Sequence, residues 1–189
     1  MARTKEFDDL TAVTAARDVF WERGYGPTSL AQLMAATGLS KSSLYETYGS
    51  KRDLFTRAAE NYLDLIINPR LGPLDAPGAG RDELIAYFTG LEAFFTKAPD
   101  RIARRGCLLL NTAMDLNDLD DEAAMLVSGY RERVFEAFRA VLGTLGRADA
   151  ERRAQILTAS QIGLMVTSRL DPAAAAQLAH ALAEDVRTW

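Results

Sequence analysis

The sequence predicts an all-α fold of about nine helices, with a three-helix N-terminal part that precedes a larger helical part. Apolar residues recur every three to four positions in successive segments, as in Leu84, Phe88, Leu91 and Phe95, which places them on one face of a helix. Capping residues precede these segments, and Gly or Pro follows them. Residues 28–51 have the pattern of a short helix, a tight turn and a second helix, which is a helix-turn-helix.

The composition is that of an ordinary globular protein, since 48% of the 189 residues are hydrophobic and 25% are charged. No apolar run reaches the roughly 18 residues of a membrane span, and the N-terminal segment lacks the apolar core of a signal peptide. A single cysteine excludes an internal disulfide framework and fits a reducing, cytoplasmic location.

The formal net charge of −4 is unusual for a protein that binds DNA. However, residues 1–60 contain equal numbers of basic and acidic side chains, so the remainder of the chain supplies the whole negative charge. Binding to duplex DNA requires a positive face and does not require a positive total. Local basic groups stand at Arg3, Lys5, Lys41, Lys51 and Arg52.

The first two helices follow from their caps and apolar faces. Residues 8–23 form the first helix, which Asp8 or Asp9 caps and Gly24 ends. Its apolar stripe is Leu10, Val13, Ala16 and Phe20. Thr28 or Ser29 caps the second helix, because a hydroxyl accepts hydrogen bonds from the free N–H groups of a first turn. Its apolar face is Leu30, Leu33 and Met34.

The third helix covers residues 41–48, with Ser40 as its cap and Leu44 as the one side chain expected to face inward. The remaining side chains are a lysine, hydroxyls and tyrosines with one acid, Glu46, and such groups suit phosphate oxygens and base edges. The second helix of a helix-turn-helix enters the major groove of double-stranded DNA. The predicted DNA-binding residues are Thr28, Ser29, Lys41, Ser42, Ser43, Tyr45, Thr47, Tyr48 and Lys51.

The fourth helix begins after Ser50, which forms a variant capping box with Asp53. Its apolar stripe is Leu54, Phe55, Ala58, Tyr62, Leu65 and Ile66. The stripe is long enough to link a DNA-binding domain, residues 1–52, to a second domain, residues 53–189. Residues 68–80 hold three prolines and three glycines and are predicted to be a loop.

Five further helices are predicted, at about residues 81–97, 100–116, 120–145, 149–169 and 171–189. On the eighth helix, Leu157 and Leu164 point away from a stripe that includes Ile156, Gly163 and Val166. A helix that is apolar on several faces is buried on several sides. We therefore expect the last two helices to pair with their counterparts in a second copy of the chain.

The middle helices combine bulky aromatic and sulfur-containing side chains with polar ones. Each is most simply a core residue, but together they predict an apolar pocket that binds a small effector. The predicted pocket residues are Phe88, Phe95, Cys107, Asn111, Met114 and Tyr130. Cys107 follows Arg104 and Arg105, which lower a thiol pKa if they lie near it. Sensing of electrophiles or oxidants by this thiol is therefore an alternative, although a buried, unreactive cysteine is the simpler interpretation.

No pattern of residues indicates an enzyme, a metal site or a cofactor. Cys107 and His180 have no nucleophile–base pairing, and there is no glycine-rich phosphate loop. The acidic cluster between Asp118 and Glu122 lacks a histidine and the spacing of a ligand loop, so we interpret it as favourable negative charge at a helix N-terminus.

The run GYGPTSLAQLMAATGLSKSSLYETYGSKRDLF, residues 24–55, resembles the N-terminal signature of TetR-type bacterial transcriptional regulators. Two residues depart from the family pattern: Ser42 stands where glycine is frequent, and Thr47 where histidine is frequent. The resemblance implies a ligand-responsive homodimeric repressor, released from operator DNA by a small, largely apolar effector and dimerised through its last two helices. A helical binding module without DNA binding is the alternative from another class. The residues that argue against it are Lys41, Tyr45, Tyr48 and Lys51.

Overall fold

The structure is a computed structural model that describes residues 9–113 and 121–189, and every regular element in these two ranges is helical. The all-α prediction is therefore confirmed. The α-helices are α1 (Asp9–Arg23), α2 (Leu30–Thr37), α3 (Lys41–Tyr48), α4 (Lys51–Tyr62), α5 (Asn68–Asp75), α6 (Arg81–Lys97), α7 (Asp100–Ala103), α8 (Leu108–Thr112), α9 (Asp121–Thr144), α10 (Ala150–Leu170) and α11 (Pro172–Arg187). A π-helical segment, Leu63–Ile67, joins α4 to α5. None of these described helices is long and apolar enough to cross a membrane.

The helix-turn-helix forms as its caps predict. Ser29 accepts a hydrogen bond from the backbone N–H of Gln32, whose side chain accepts one in return, so that a complete capping box starts α2. Gly38 ends α2 in the left-handed conformation, with φ 71°. Ser40 and Ser50 cap α3 and α4 by accepting hydrogen bonds from backbone N–H groups of the first turn. The angle between α2 and α3 is thus fixed by local sequence.

The prediction of a loop at residues 68–80 is wrong over its first part, because the backbone stays helical up to Asp75. Pro69 lies in the first turn of α5, where a missing N–H costs little. Leu71 and Leu74 are buried, and α5 packs against α9. Burial of these two leucines outweighs the unfavourable Pro73 within the helix.

The single helix predicted at residues 100–116 is also wrong. It divides into α7 and α8, and the described part ends at Ala113. The interruption is at Gly106, which has φ 65°. A Cβ atom there would lie 3.0 Å from Cγ of Arg169 and 3.1 Å from the carbonyl oxygen of Met165. The turn therefore needs glycine both for its backbone conformation and for its close approach to α10. This division and the additional α5 explain why the described chain has more than about nine helices.

One apolar cluster runs through the described residues, from Val13 in α1 to Val186 in α11. Within it α1 packs on α2 and α4, α9 on α10, and α6 on α11. α4 also contacts α9, so it joins the helix-turn-helix to the helices behind it. Leu10 and Leu65 were expected on inward stripes and are exposed instead. The boundary between residues 1–52 and 53–189 stays a prediction.

Candidate nucleic-acid interface and effector cavity

The outward face of α3 carries polar side chains above a single apolar anchor. Leu44 is buried with 4% exposure, as predicted, while Tyr45 is 46% exposed. Ser43 is partly exposed. The Oγ atom of Ser40 lies 2.9 Å from the hydroxyls of both Ser42 and Ser43, which orders the first turn. The exposed residues of α3 are Lys41, Ser42, Tyr45, Glu46 and Thr47. This face offers one positive charge and several hydroxyls to a DNA groove.

Tyr48 does not point outward, and that prediction is wrong. Its side chain is buried, and its hydroxyl donates a hydrogen bond of 3.0 Å to a carboxylate oxygen of Asp9 at the start of α1. Arg57 lies over its ring at 5.6 Å. Burial and the neighbouring carboxylate raise the pKa of Tyr48 far above its usual value, so the hydroxyl keeps its proton. Tyr48 therefore ties the end of α3 to α1.

Thr28 and Lys51 support the turn that precedes α2. Thr28 is buried, contrary to its assignment as an exposed contact, and its hydroxyl donates to the carbonyl oxygen of Gly24 at 2.6 Å. Ser29 beside it is exposed. The Lys51 ammonium lies 4.5 Å from the centre of the Tyr25 ring and donates to a backbone carbonyl at 3.3 Å. Lys51 is partly exposed at the N-terminus of α4, as predicted.

A cavity of about 210 Å³ lies behind the helix-turn-helix, among α1, α4, α5, α6, α7, α9, α10 and the π-helical segment. Of the predicted pocket residues, Phe95 and Tyr130 line it. Phe88 does not, because it is fully buried between Tyr87 and Phe138, at ring distances of 5.2 and 5.7 Å. Phe95 and Tyr130 therefore lie at the cavity and Phe88 lies away from it, and the binding of an effector there stays a prediction.

The other predicted pocket residues also lie elsewhere. Asn111 does not line the cavity, and its side-chain amide donates to the carbonyl oxygen of Arg105 at 2.8 Å. Met114 lies outside the described residues. Cys107 is buried next to the lining residue Gly106 but is not itself part of the lining.

Sequence reasoning missed most of the cavity wall. Tyr62 was assigned to the apolar stripe of the fourth helix, Arg70 fell within the predicted loop, and Trp21 was not among the predicted pocket residues, yet all three line the cavity. The position of Gln161 could have indicated the cavity from the sequence, because this polar residue lies on the buried face of α10. That face otherwise presents mainly apolar side chains such as Leu157 and Leu164. A lone amide at such a position is costly unless it has partners.

The polar groups of the cavity are hydrogen-bond donors for the most part. Burial raises the pKa of Tyr87 to about 12 and raises those of Tyr62 and Tyr130 well above the usual value, so all three hydroxyls stay protonated. The positive charge of Arg70 opposes this shift at Tyr62 and Tyr87, which places the guanidinium near both.

Cys107 has the environment of an unreactive thiol. Its side chain is 1% exposed, and burial raises its pKa, although hydrogen bonding with Tyr62 partly opposes the shift. Arg104 pairs with Asp100 at 2.7 Å. Arg105 lies 3.6 Å from Asp18 and forms part of a separate ionic group. The positive charge that would favour a thiolate is therefore used elsewhere.

No group of three or more His, Cys, Asp or Glu side chains within the two described ranges could hold a metal ion. The acidic cluster that begins at Asp118 lies mostly outside those ranges. His180 is exposed on α11 and lies 3.2 Å from Glu92 of α6, which gives it a structural neighbour across two packed helices.

The helix-turn-helix and the helices behind it match known proteins. A family model described as bacterial regulatory proteins, tetR family, matches residues 12–58. The chain is 34% identical over 139 residues to the uncharacterized HTH-type transcriptional regulator YezE of Bacillus subtilis (strain 168), over 73% of this chain and 70% of that protein. The chain belongs to the TetR family.

Other TetR-family relatives extend the likeness over nearly the whole chain. The HTH-type transcriptional repressor ComR of Escherichia coli (strain K12) is 27% identical over 195 residues, which cover 99% of this chain and 91% of ComR. The TetR-family regulator CifR, in a structure with 26 bp double-strand operator DNA, is 28% identical with a TM-score of 0.79. That match covers 99% of this chain and all of the CifR chain. This TetR-family protein is thus a DNA-binding transcriptional regulator and not an enzyme.

Proposed function

We propose that this TetR-family regulator is a cytoplasmic homodimeric repressor, released from its operator when a small, largely apolar effector fills the cavity. The observation that carries the proposal is that α1 and α4 contribute both to the wall of the cavity and to the support of α3. Trp21 of α1 and Tyr62 of α4 line the cavity and contact each other, with ring centres 4.8 Å apart. The same two helices hold α3, through Tyr48 and the short connection between α3 and α4.

The DNA contacts are proposed to come from the exposed face of α3 and from two helix N-termini. Phosphate contacts position the protein, and base-edge contacts select the sequence. Thr28 and Tyr48 act beneath this face and hold α2 and α3 in place, since their hydroxyls already have protein partners. The proposed contact residues are Ser29, Lys41, Ser42, Ser43, Tyr45, Thr47 and Lys51.

The proposed dimer uses α10 and α11, because α10 has an apolar face that the chain leaves uncovered. Ile156 and Val166 are each 52% exposed, and Leu170 is 77% exposed. They lie on one side of α10, while Leu157 and Leu164 on the opposite side are buried. Continuous exposed apolar surface marks an interaction site. A two-fold axis beside α10 would present two copies of α3 to successive major grooves, roughly 34–36 Å apart.

Release requires that the effector bind one arrangement of the dimer more tightly than the other. An occupant of the cavity touches α1, the end of α4 and the π-helical segment, and π-helical turns are frequent at functional sites. A shift of α4 then changes the distance between the two α3 helices. The alternative of a thiol-based sensor has no support from the environment of Cys107, because this residue is buried and its pKa is raised.

Selection of bound duplexes from a random pool, with the full chain as bait, tests the repressor proposal. We expect an inverted repeat with half-sites about one helical turn apart. The variant Val166→Glu tests the dimer, since a charge in an apolar interface opposes association. Ser128→Glu, which adds the same charge at an exposed position of α9, outside the proposed interface, is the matched control. A monomeric parent protein in sedimentation, or a selected site without two-fold symmetry, would refute the proposed dimer.

A further inference from the structure

One end of the buried Gln161 amide has no partner. The side chain is 1% exposed and lines the cavity. Its Nε2 atom donates to the Tyr130 hydroxyl at 3.0 Å, whereas Oε1 has no hydrogen-bond partner among the described residues. A buried polar atom without a partner is destabilising. The Tyr130 hydroxyl, and the Tyr87 hydroxyl that also interacts with this side chain, lie at the same end of the amide. The other end has no partner whichever way the amide is turned, and a ligand hydroxyl, which both donates and accepts, suits it.

Arg70 places a positive charge in the same cavity. It is partly buried, and its guanidinium lies 5.5 Å from the centre of the Phe94 ring. In the described ranges it has no carboxylate within ion-pair distance, in contrast to Arg133, which pairs with Asp75. A guanidinium in an apolar wall binds carboxylates through two parallel hydrogen bonds. The Tyr87 hydroxyl near it lines the same cavity and adds a donor for the same anion.

The volume and the lining of the cavity limit the size of the ligand and favour an aromatic ring. A cavity of about 150 Å³ holds benzene, so about 210 Å³ accommodates one six-membered ring with two small substituents. The walls include Phe94, Phe95 and Met165, which favour an aromatic ring. Arg70 is the one cationic side chain among the described lining residues, so the second charge of a ligand with two negative charges would carry an uncompensated desolvation cost.

We propose that the effector is a monocyclic aromatic carboxylic acid with a ring hydroxyl, its carboxylate bound by Arg70 and its hydroxyl by Gln161. This proposal rests on the proposed function only in calling the ligand an effector. Binding itself is a property of the cavity and is measured without DNA. The donors of the cavity outnumber its free acceptors, which is the arrangement that an acceptor-rich anion requires.

The test measures binding of the three hydroxybenzoate isomers to the full chain by calorimetry at neutral pH. Each isomer is compared with the corresponding hydroxybenzamide, which keeps the size and the hydroxyl but loses the charge. We expect at least one isomer to bind about ten- to a hundredfold more tightly than its amide, because the uncharged amide cannot form the charge-assisted hydrogen bonds with Arg70. Arg70→Gln should remove this preference, and Arg81→Gln, an exposed arginine of α6, should keep it.

Unmodified protein alone can overturn the proposal, so the result does not depend on a variant that folds. Equal binding of acid and amide, or no binding of any isomer at millimolar concentration, would exclude an aromatic acid as ligand. A preference for the acid that Arg70→Gln leaves intact would exclude the assigned site. Operator binding is then measured with and without the acid by fluorescence anisotropy. Tight binding that leaves operator affinity unchanged contradicts the proposed release mechanism and leaves the ligand assignment standing.

Discussion

The indole N–H of Trp21 donates a hydrogen bond of 3.1 Å to the carbonyl oxygen of Gly106. Trp21 belongs to α1, which packs on α2 and α4, and Gly106 lies in the turn between α7 and α8. Arg105, next to Gly106, lies over the Trp21 ring at 5.5 Å and has Glu22 of α1 within 3.7 Å. The turn is thus held to α1 by a hydrogen bond, a ring contact and an ion pair. Trp21 and Gly106 both line the cavity.

Trp21→Phe should lower the free energy of unfolding by about 1 to 2 kcal/mol, because the Gly106 carbonyl loses its donor. It should also weaken the response of operator binding to an effector, since the contact between cavity and α1 is reduced. Trp189→Phe is the matched control: the Trp189 N–H is buried without a partner among the described residues, so no hydrogen bond is lost. Urea denaturation and fluorescence anisotropy measure the two effects. Equal responses of the two variants would contradict the role given to Trp21.

Gly106→Ala should destabilise the protein more than Gly78→Ala does. Both glycines have positive φ, 65° and 83°, so alanine at either costs about 1 to 2 kcal/mol in backbone strain. At Gly78 the added methyl group meets nothing within 4 Å, whereas at Gly106 it meets Arg169 and the Met165 backbone. Overpacking of this kind adds about 1 to 3 kcal/mol. The midpoints of thermal or urea unfolding measure both effects. If they coincide for the two variants, α10 moves away from the added methyl group at position 106 without cost.

The helix caps and Gly106 show which features the sequence could predict and which it could not. The caps Ser29, Ser40 and Ser50 were identified because capping is a local interaction between residues three positions apart. Gly106 was placed inside a helix because its role depends on α10, about 60 residues away in the chain. The same reason explains the missed cavity wall, since Arg70 acquires its position from a helix held by distant packing.

Tyr48 shows a second limit of the pattern. The helical period correctly placed Leu44 inward, and Tyr48 lies one turn further along the same face. Its polar hydroxyl suggested solvent or DNA, but the carboxylate of Asp9 at the start of α1 accepts its hydrogen bond. A tyrosine on an inward face is therefore better interpreted through its position on the helix than through its polarity.

Lys41→Ala should weaken binding to operator DNA and reduce the dependence of affinity on salt. Each lost phosphate contact lowers the slope of log K against log salt concentration by about 0.9. Anisotropy titrations between about 50 and 200 mM salt measure this slope. Lys97→Ala, at the exposed C-terminal end of α6, removes the same charge outside the helix-turn-helix and should leave the slope nearly unchanged. If both variants changed the slope equally, α3 would not be the surface that meets the phosphates.

Cys107 should react slowly with iodoacetamide in the native protein. The thiolate is the reactive species, and burial raises the pKa of Cys107, so at neutral pH even less of the thiol is ionised than in an unfolded chain, where the pKa is about 8.5. Raising the pH toward that value should accelerate alkylation of the unfolded chain well before that of the native protein. Mass spectrometry of samples with and without guanidinium measures both rates. Rapid alkylation of the native protein at neutral pH, together with loss of operator binding, would instead favour a thiol-based sensor.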